Sequence, residues 1–114
     1  MTDPHAFAAD WAAGWNSHDL DRILSHYTDD IVFRSRKALA LVGKGEIVGK
    51  PALRAYWAAA LARQPDLHFR VVDVLAGHEM LIITYLNHRD VLAAEVLHFD
   101  GAGRVHEAAA CHRD

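Results

Sequence analysis

The stretch "VLAAEVLHF", residues 91–99, reads as a β-strand with an acid in its middle. Strict alternation puts Ala93, Glu95, Leu97 and Phe99 on one face, so the carboxyl of Glu95 stands among apolar neighbours. A carboxyl in that position has two physical outcomes. It pairs with an Arg or Lys or reaches water at a pocket mouth, since a bare buried charge is too costly to keep. Otherwise it stays unpaired, desolvation raises its pKa, and near neutral pH it donates a hydrogen bond or moves a proton. Both outcomes are compatible with the sequence.

The same parity identifies possible neighbours. In "EMLIITYLNH" Leu81, Ile83, Tyr85 and Asn87 share a face, and Tyr85 is the candidate to complete an acid–phenol pair with Glu95, although a buried tyrosine more commonly just finds a partner for its hydroxyl. In "RVHEAAACH" one face carries His106, Ala108, Ala110 and His112. The other carries Val105, Glu107, Ala109 and Cys111. His112 titrates in the range useful for acid–base work but lies close to the chain end, where strands fray. The small Ala108 and Ala110 provide space rather than chemistry.

Other chemistries find little support. The nine histidines include no His-x-His or His-x-x-x-His pair, so no metal site is expected. "GKGEIVGK" lacks the spacing of a phosphate-binding loop, and no serine elbow or supported Cys–His nucleophile is present. No cofactor is therefore expected. The single Cys111 excludes an internal disulfide, and with no basic amino-terminal region before an apolar run the expected setting is cytoplasmic. A formal net charge of −3 without blocks of like charge gives no footprint for nucleic acid or an anionic membrane, and no apolar run approaches the length of a membrane span.

These residues need elements to hold them. With 114 residues, 52% of them hydrophobic, and no linker or repeat, residues 1–114 read as a single domain with a real core. Asp3-Pro4 starts a helix whose stripe is Phe7, Trp11 and Trp15. Asp19 caps a second, shorter one bearing Leu20, Ile23, Leu24 and Tyr27. "DIVFRS" is a strand, residues 37–49 are open between a loop and a short hairpin, and Pro51 opens a third helix with Leu53, Tyr56, Trp57, Ala60 and Leu61 on its buried side. Strands "LHFRVVDVLA", "EMLIITYLNH", "VLAAEVLHF" and "RVHEAAACH" follow. Helices first and strands afterwards describe an α+β fold. Trp11, Trp15, Tyr56 and Trp57 either form plain core or line an aromatic pocket. Arg34 and Arg36 alternate with Ser35 and face solvent or a partner if Ser35 faces inward.

The order "WNSHDLDRILSHYTDDIVF", "GKPALRAYWAAAL" and strands closing on "HFDGAGRV" resembles the nuclear transport factor 2-like superfamily, in its SnoaL-like and ketosteroid isomerase-like branch, over nearly the whole chain. The resemblance implies a cone-shaped, curved antiparallel or mixed sheet wrapped around three helices of the amino-terminal half, an internal pocket, and often a homodimer. It makes the pocket-facing set Trp11, Trp15, Ser35, Tyr56, Trp57, Ile83, Asn87, Leu97, Ala108, Ala110 and His112, with Glu95 and Tyr85 as the reactive groups. Set against the isomerase site, Glu95 falls at the protonated acid, but Trp11 stands at the oxyanion-hole tyrosine and Ser35 at the base. A serine hydroxyl does not abstract a carbon-bound proton near neutral pH, so steroid isomerisation by that route is not expected. Nor is the Asp-Arg-Asp network of limonene epoxide hydrolases recognisable.

Two classes remain. One is a cofactor-free enzyme of isomerase, cyclase, hydratase or hydrolase type acting on a hydrophobic, carbonyl-bearing or cyclic molecule, with Glu95 as acid or hydrogen-bond donor. The other is a non-catalytic ligand-binding or dimerisation module. The outer face of the last strand, with Val105, Glu107, Ala109 and Cys111, suits a sheet-to-sheet homodimer.

Overall fold

A computed structural model of the chain describes residues 3–113. Helix α1, Pro4–Ser17, starts where Asp3 and Pro4 predict: the Asp3 carboxylate accepts from the N–H groups of His5 at 2.9 Å and Ala6 at 3.3 Å. It ends at His18, whose φ of 60° turns the chain. Asp19 then caps the short α2, Leu20–Leu24, accepting from Asp21 N–H at 3.0 Å. Strand β1 covers Tyr27–Ser35.

The segment 37–49 resolves into two elements. Helix α3, Arg36–Val42, begins because Ser35 is an N-cap, its hydroxyl accepting from Lys37 N–H at 3.1 Å, and ends at Gly43 in the left-handed region. The residues between them, "RKALALV", are mostly good helix formers. Strand β2, Glu46–Val48, pairs antiparallel with β1. The amino-terminal half therefore has four helices rather than three, the last being α4, Lys50–Arg63. The remaining strands are β3 (Arg70–Gly77), β4 (Met80–Leu86), β5 (Leu92–Phe99) and β6 (Val105–His112).

One open, six-stranded sheet runs in the order β2-β1-β6-β5-β4-β3. β1 and β6 are parallel and the other neighbours antiparallel, so the sheet is mixed. Helix α1 packs towards β3 and α4 towards β1. The core between sheet and helices includes Trp11, Tyr27, Ile31, Leu53, Trp57, Leu81, Ile83 and Leu97.

Parity fails in two places. In β6 the pairing moves from His98 with Glu107 to Phe99 with Val105, which leaves His106 as an extra, bulged residue. Val105 is consequently fully buried and His106 exposed, the reverse of the expected faces, while Ala108 and Ala110 face inward as read. Strand β4 stops at Leu86, so Asn87 and His88 belong to a turn rather than to the strand. There the Asn87 carbonyl of the side chain accepts from Arg89 N–H at 2.9 Å and Val91 N–H at 3.0 Å.

Candidate functional site

The sheet brings the candidate residues together in rows. Glu95 stands between Ile83 of β4 and Ala110 of β6, and Ala110 in turn pairs with Ser35 of β1. One row closer to the end of the sheet lie Tyr85, Ala93 and His112. Tyr85 is thus the diagonal neighbour of Glu95 on the same face, within reach of an aromatic side chain. Helices α1 and α4 close this end with indole and phenol rings. Trp11 meets Tyr85 with ring centroids 5.1 Å apart, Trp15 meets Trp57 at 4.8 Å, and Phe69 lies 4.5 Å from Tyr85. Phe69 is held by Asn16, which donates to its carbonyl at 2.9 Å and accepts from its N–H at 2.7 Å.

A cavity of about 80 Å³ remains between these groups. Its wall includes Glu95, Tyr85, Trp11, Trp15, Ser35, Tyr56 and Trp57, and further out Asn87, Ala110 and His112. Ile83, Leu97 and Ala108, expected to line it, are buried in the core and are not among the residues of its wall, although Ile83 pairs directly with Glu95. Phe33, Phe69, Gln64, Lys37 and His88 join the wall without having been singled out from the sequence. Lys37 was unreadable while its helix was, and His88 sits on a turn that strand alternation assigns to the wrong face.

Glu95 is only 3% exposed, and among the described residues no Arg, Lys or His forms an ion pair with it. Burial pushes its carboxyl up to about 8, while the neighbouring Tyr85 hydroxyl, which favours the ionised acid, acts in the opposite direction. That shift favours the protonated acid near neutral pH. Tyr85 is driven well above the usual phenol range by burial first and by the Glu95 charge second. Burial likewise raises Tyr27, which is fully buried and feels the same carboxyl. The Tyr27 hydroxyl and the indole N–H groups of Trp11 and Trp15 are buried without a hydrogen-bond partner. A second tyrosine therefore stands near the acid: Tyr27, expected on the stripe of α2, instead opens β1, because α2 ends at Leu24. Ser35 uses its hydroxyl to cap α3. Among the described residues, no group of three or more His, Cys, Asp or Glu is placed to hold a metal ion, and no helix is long and apolar enough to cross a membrane.

An open mixed sheet, helices over its inner face and a cavity at one end define the SnoaL-like class of α+β proteins. The chain belongs to the SnoaL-like domain family, whose model matches residues 8–113. It is similar to a SnoaL-like protein of unknown function from Burkholderia thailandensis E264, with 39% identity and a TM-score of 0.93 over 97% of this chain and 94% of that one. A candidate isomerase of the SnoaL-like family from Agrobacterium tumefaciens C58 shares the fold at 14% identity and a TM-score of 0.78, each chain covered completely (100%). So does the epoxide hydrolase/cyclase-like enzyme SalBIII, linked to pyran ring formation in the polyether salinomycin, at 15% identity and a TM-score of 0.75 over 96% of this chain and 90% of that one. Curated protein sequences yield no match.

Proposed function

We propose that this protein is a cofactor-free enzyme acting on a small hydrophobic molecule with a carbonyl or cyclic ether oxygen, in which Glu95 supplies a proton or hydrogen bond to that oxygen and Tyr85 orients the acid. The observation that carries this reading is a carboxyl 3% exposed, without a cationic partner among the described residues, on the wall of an aromatic cavity. Such a group opposes folding near neutral pH, and proteins keep such costs at sites of function. An acid kept neutral stabilises negative charge developing on a bound oxygen, which is the shared need of enolisation, ring closure and epoxide opening. Chemistry of that kind fits the isomerase and cyclase descriptions carried by the fold's other members.

The test is turnover of a panel containing a β,γ-enone, an epoxide and a polyketide-like ketone by wild type, Glu95→Gln and Tyr85→Phe. Turnover by wild type that falls at least about a hundredfold in Glu95→Gln is expected, in line with loss of one preorganised donor. No turnover by wild type, or undiminished turnover in Glu95→Gln, overturns the reading.

A second reading, a non-catalytic ligand-binding or dimerisation module, draws on one observation. Ser35, at the position of the isomerase base, is committed to the α3 cap. Saturable binding without turnover, insensitive to Glu95→Gln, favours it.

We also read the chain as one domain, set in the cytoplasm, that forms a homodimer through the outer face of its sheet. The row Ile82, Val96 and Ala109 supports the dimer, being small or apolar and half-buried on the face away from the helices.

A further inference from the structure

His88 is the one histidine that combines burial, a place on the cavity wall and a complete lack of hydrogen bonds among the described residues. Its side chain is 7% exposed, and neither Nδ1 nor Nε2 has a partner. The nearest carboxylate, Asp66, lies 3.6 Å from Nε2, beyond hydrogen-bond reach, and is itself 78% exposed to water. Nor is this a loosely placed surface ring. The turn that carries it is closed by Asn87 N–H on the Val91 carbonyl at 3.1 Å and by Asp90 N–H on the Asn87 carbonyl at 2.9 Å. Two side-chain bonds from Asn87 close it further. A well-bonded turn thus holds a buried imidazole neither of whose nitrogens has a hydrogen-bond partner among the described residues, with only the 3.6 Å approach of Asp66 to Nε2, and buried polar atoms left without hydrogen bonds require a reason.

We propose that His88 is a second ligand-binding residue of this cavity, taking the hydroxyl of a small, flat ring whose carbonyl oxygen faces Glu95. The carbonyl end rests on the function proposed above; the His88 end rests on its own geometry. A neutral imidazole offers one donor and one acceptor, and a hydroxyl satisfies both kinds of group at once. Trp11, Trp15, Tyr85 and Phe69 supply ring faces between the two polar ends, suited to a conjugated or aromatic ring. A cavity of about 80 Å³ that is partly open to solvent encloses only part of a single substituted ring, the rest of which lies at its mouth, and leaves no room for a larger ring system. Asn87, also on the wall, has its side-chain oxygen engaged by the turn, which leaves His88 as the hydroxyl receptor on this loop.

The experiment compares 4-hydroxyacetophenone with 4-methylacetophenone, which replaces the hydroxyl by a methyl group of similar size. Calorimetric titration of wild type is expected to show the hydroxyl probe binding roughly tenfold more tightly, the effect of one additional buried hydrogen bond. In His88→Phe the preference disappears. Glu95→Leu weakens both probes together and keeps the preference. The ring ¹⁵N resonances of His88 in the wild-type protein give a measurement that needs no variant, and they are expected to shift with the hydroxyl probe and not with the methyl one. Equal binding of the two probes by wild type, a preference that survives in His88→Phe, or unmoved His88 resonances overturns the inference. If the preference depends on His88 while Glu95→Leu leaves both affinities unchanged, the hydroxyl site stands and the role given to Glu95 falls. Failure of both probes to bind overturns both.

Discussion

Glu95 shows how a single residue can work against the fold that holds it. Its carboxyl ionises near 4.5 when solvated and is pushed up to about 8 in the folded chain, because burial removes its hydration and no cation among the described residues pairs with it. Between those values the folded state keeps a proton that the unfolded state has released, so stability falls as pH rises through this window and is level on either side. The cost reaches on the order of 4 to 5 kcal/mol by pH 8. Glu95→Gln should therefore be as stable as wild type near pH 4 and more stable at pH 7 to 8, by denaturant unfolding at each pH. A paired structural ion predicts the opposite at neutral pH, a loss of about 3 to 5 kcal/mol. Burial lowers the pKa of His26, so its own contribution rises with pH, but it is common to both proteins and cancels in the difference. The neighbour gives a second prediction. Because the Tyr85 hydroxyl favours the ionised acid, Tyr85→Phe should move the Glu95 titration upward, as read by ¹³C NMR of the carboxyl.

At the scale of elements, the site depends on how α1 and β3 are fastened together. Asn16 closes two hydrogen bonds with the backbone of Phe69, and the His18 Nε2 lies 2.8 Å from the Leu67 carbonyl. Asn16→Ala leaves a partly buried N–H and carbonyl of Phe69 unpaired and should cost about 2 to 3 kcal/mol in denaturant unfolding. It should also loosen the stack of Phe69 on Trp11, seen as a shifted tryptophan emission. Ser35→Ala removes the cap of α3 and should cost about 1 kcal/mol, read as a lower denaturant midpoint. Most helix boundaries were legible because their signals are local: Asp3, Asp19 and Pro51 in the first turn of α4 each announce themselves in the sequence. α3 was not, since its cap is a serine that also ends a strand and its glycine-rich exit looks like a hairpin. The same limit explains Val105 and His106. One bulged residue reverses every side chain before it, and nothing in "RVHEAAACH" marks the bulge.

For the whole molecule the open question of surface is the outer side of the sheet. If Val96, Ile82 and Ala109 meet a second copy, light scattering at micromolar concentration should give about twice the 12.7 kDa of one chain, and Val96→Arg should return it to one. A mass of one chain for the unaltered protein removes the dimer.

The sequence by itself determined the α+β class, the helix starts, the inward parity of Glu95, Tyr85 and Ala110, and the family resemblance that the matched residues 8–113 show. These are properties of local caps and short-range alternation, which neighbouring residues carry. Only the tertiary structure decided that Glu95 has no ion-pair partner among the described residues, that Tyr27 approaches it from β1, that Ile83, Leu97 and Ala108 are sealed in the core, and that a turn swings His88 into the cavity wall. Each of those is settled by the distance between groups far apart in the chain, and burial, which sets the charge state of the acid, is a sum over such distances.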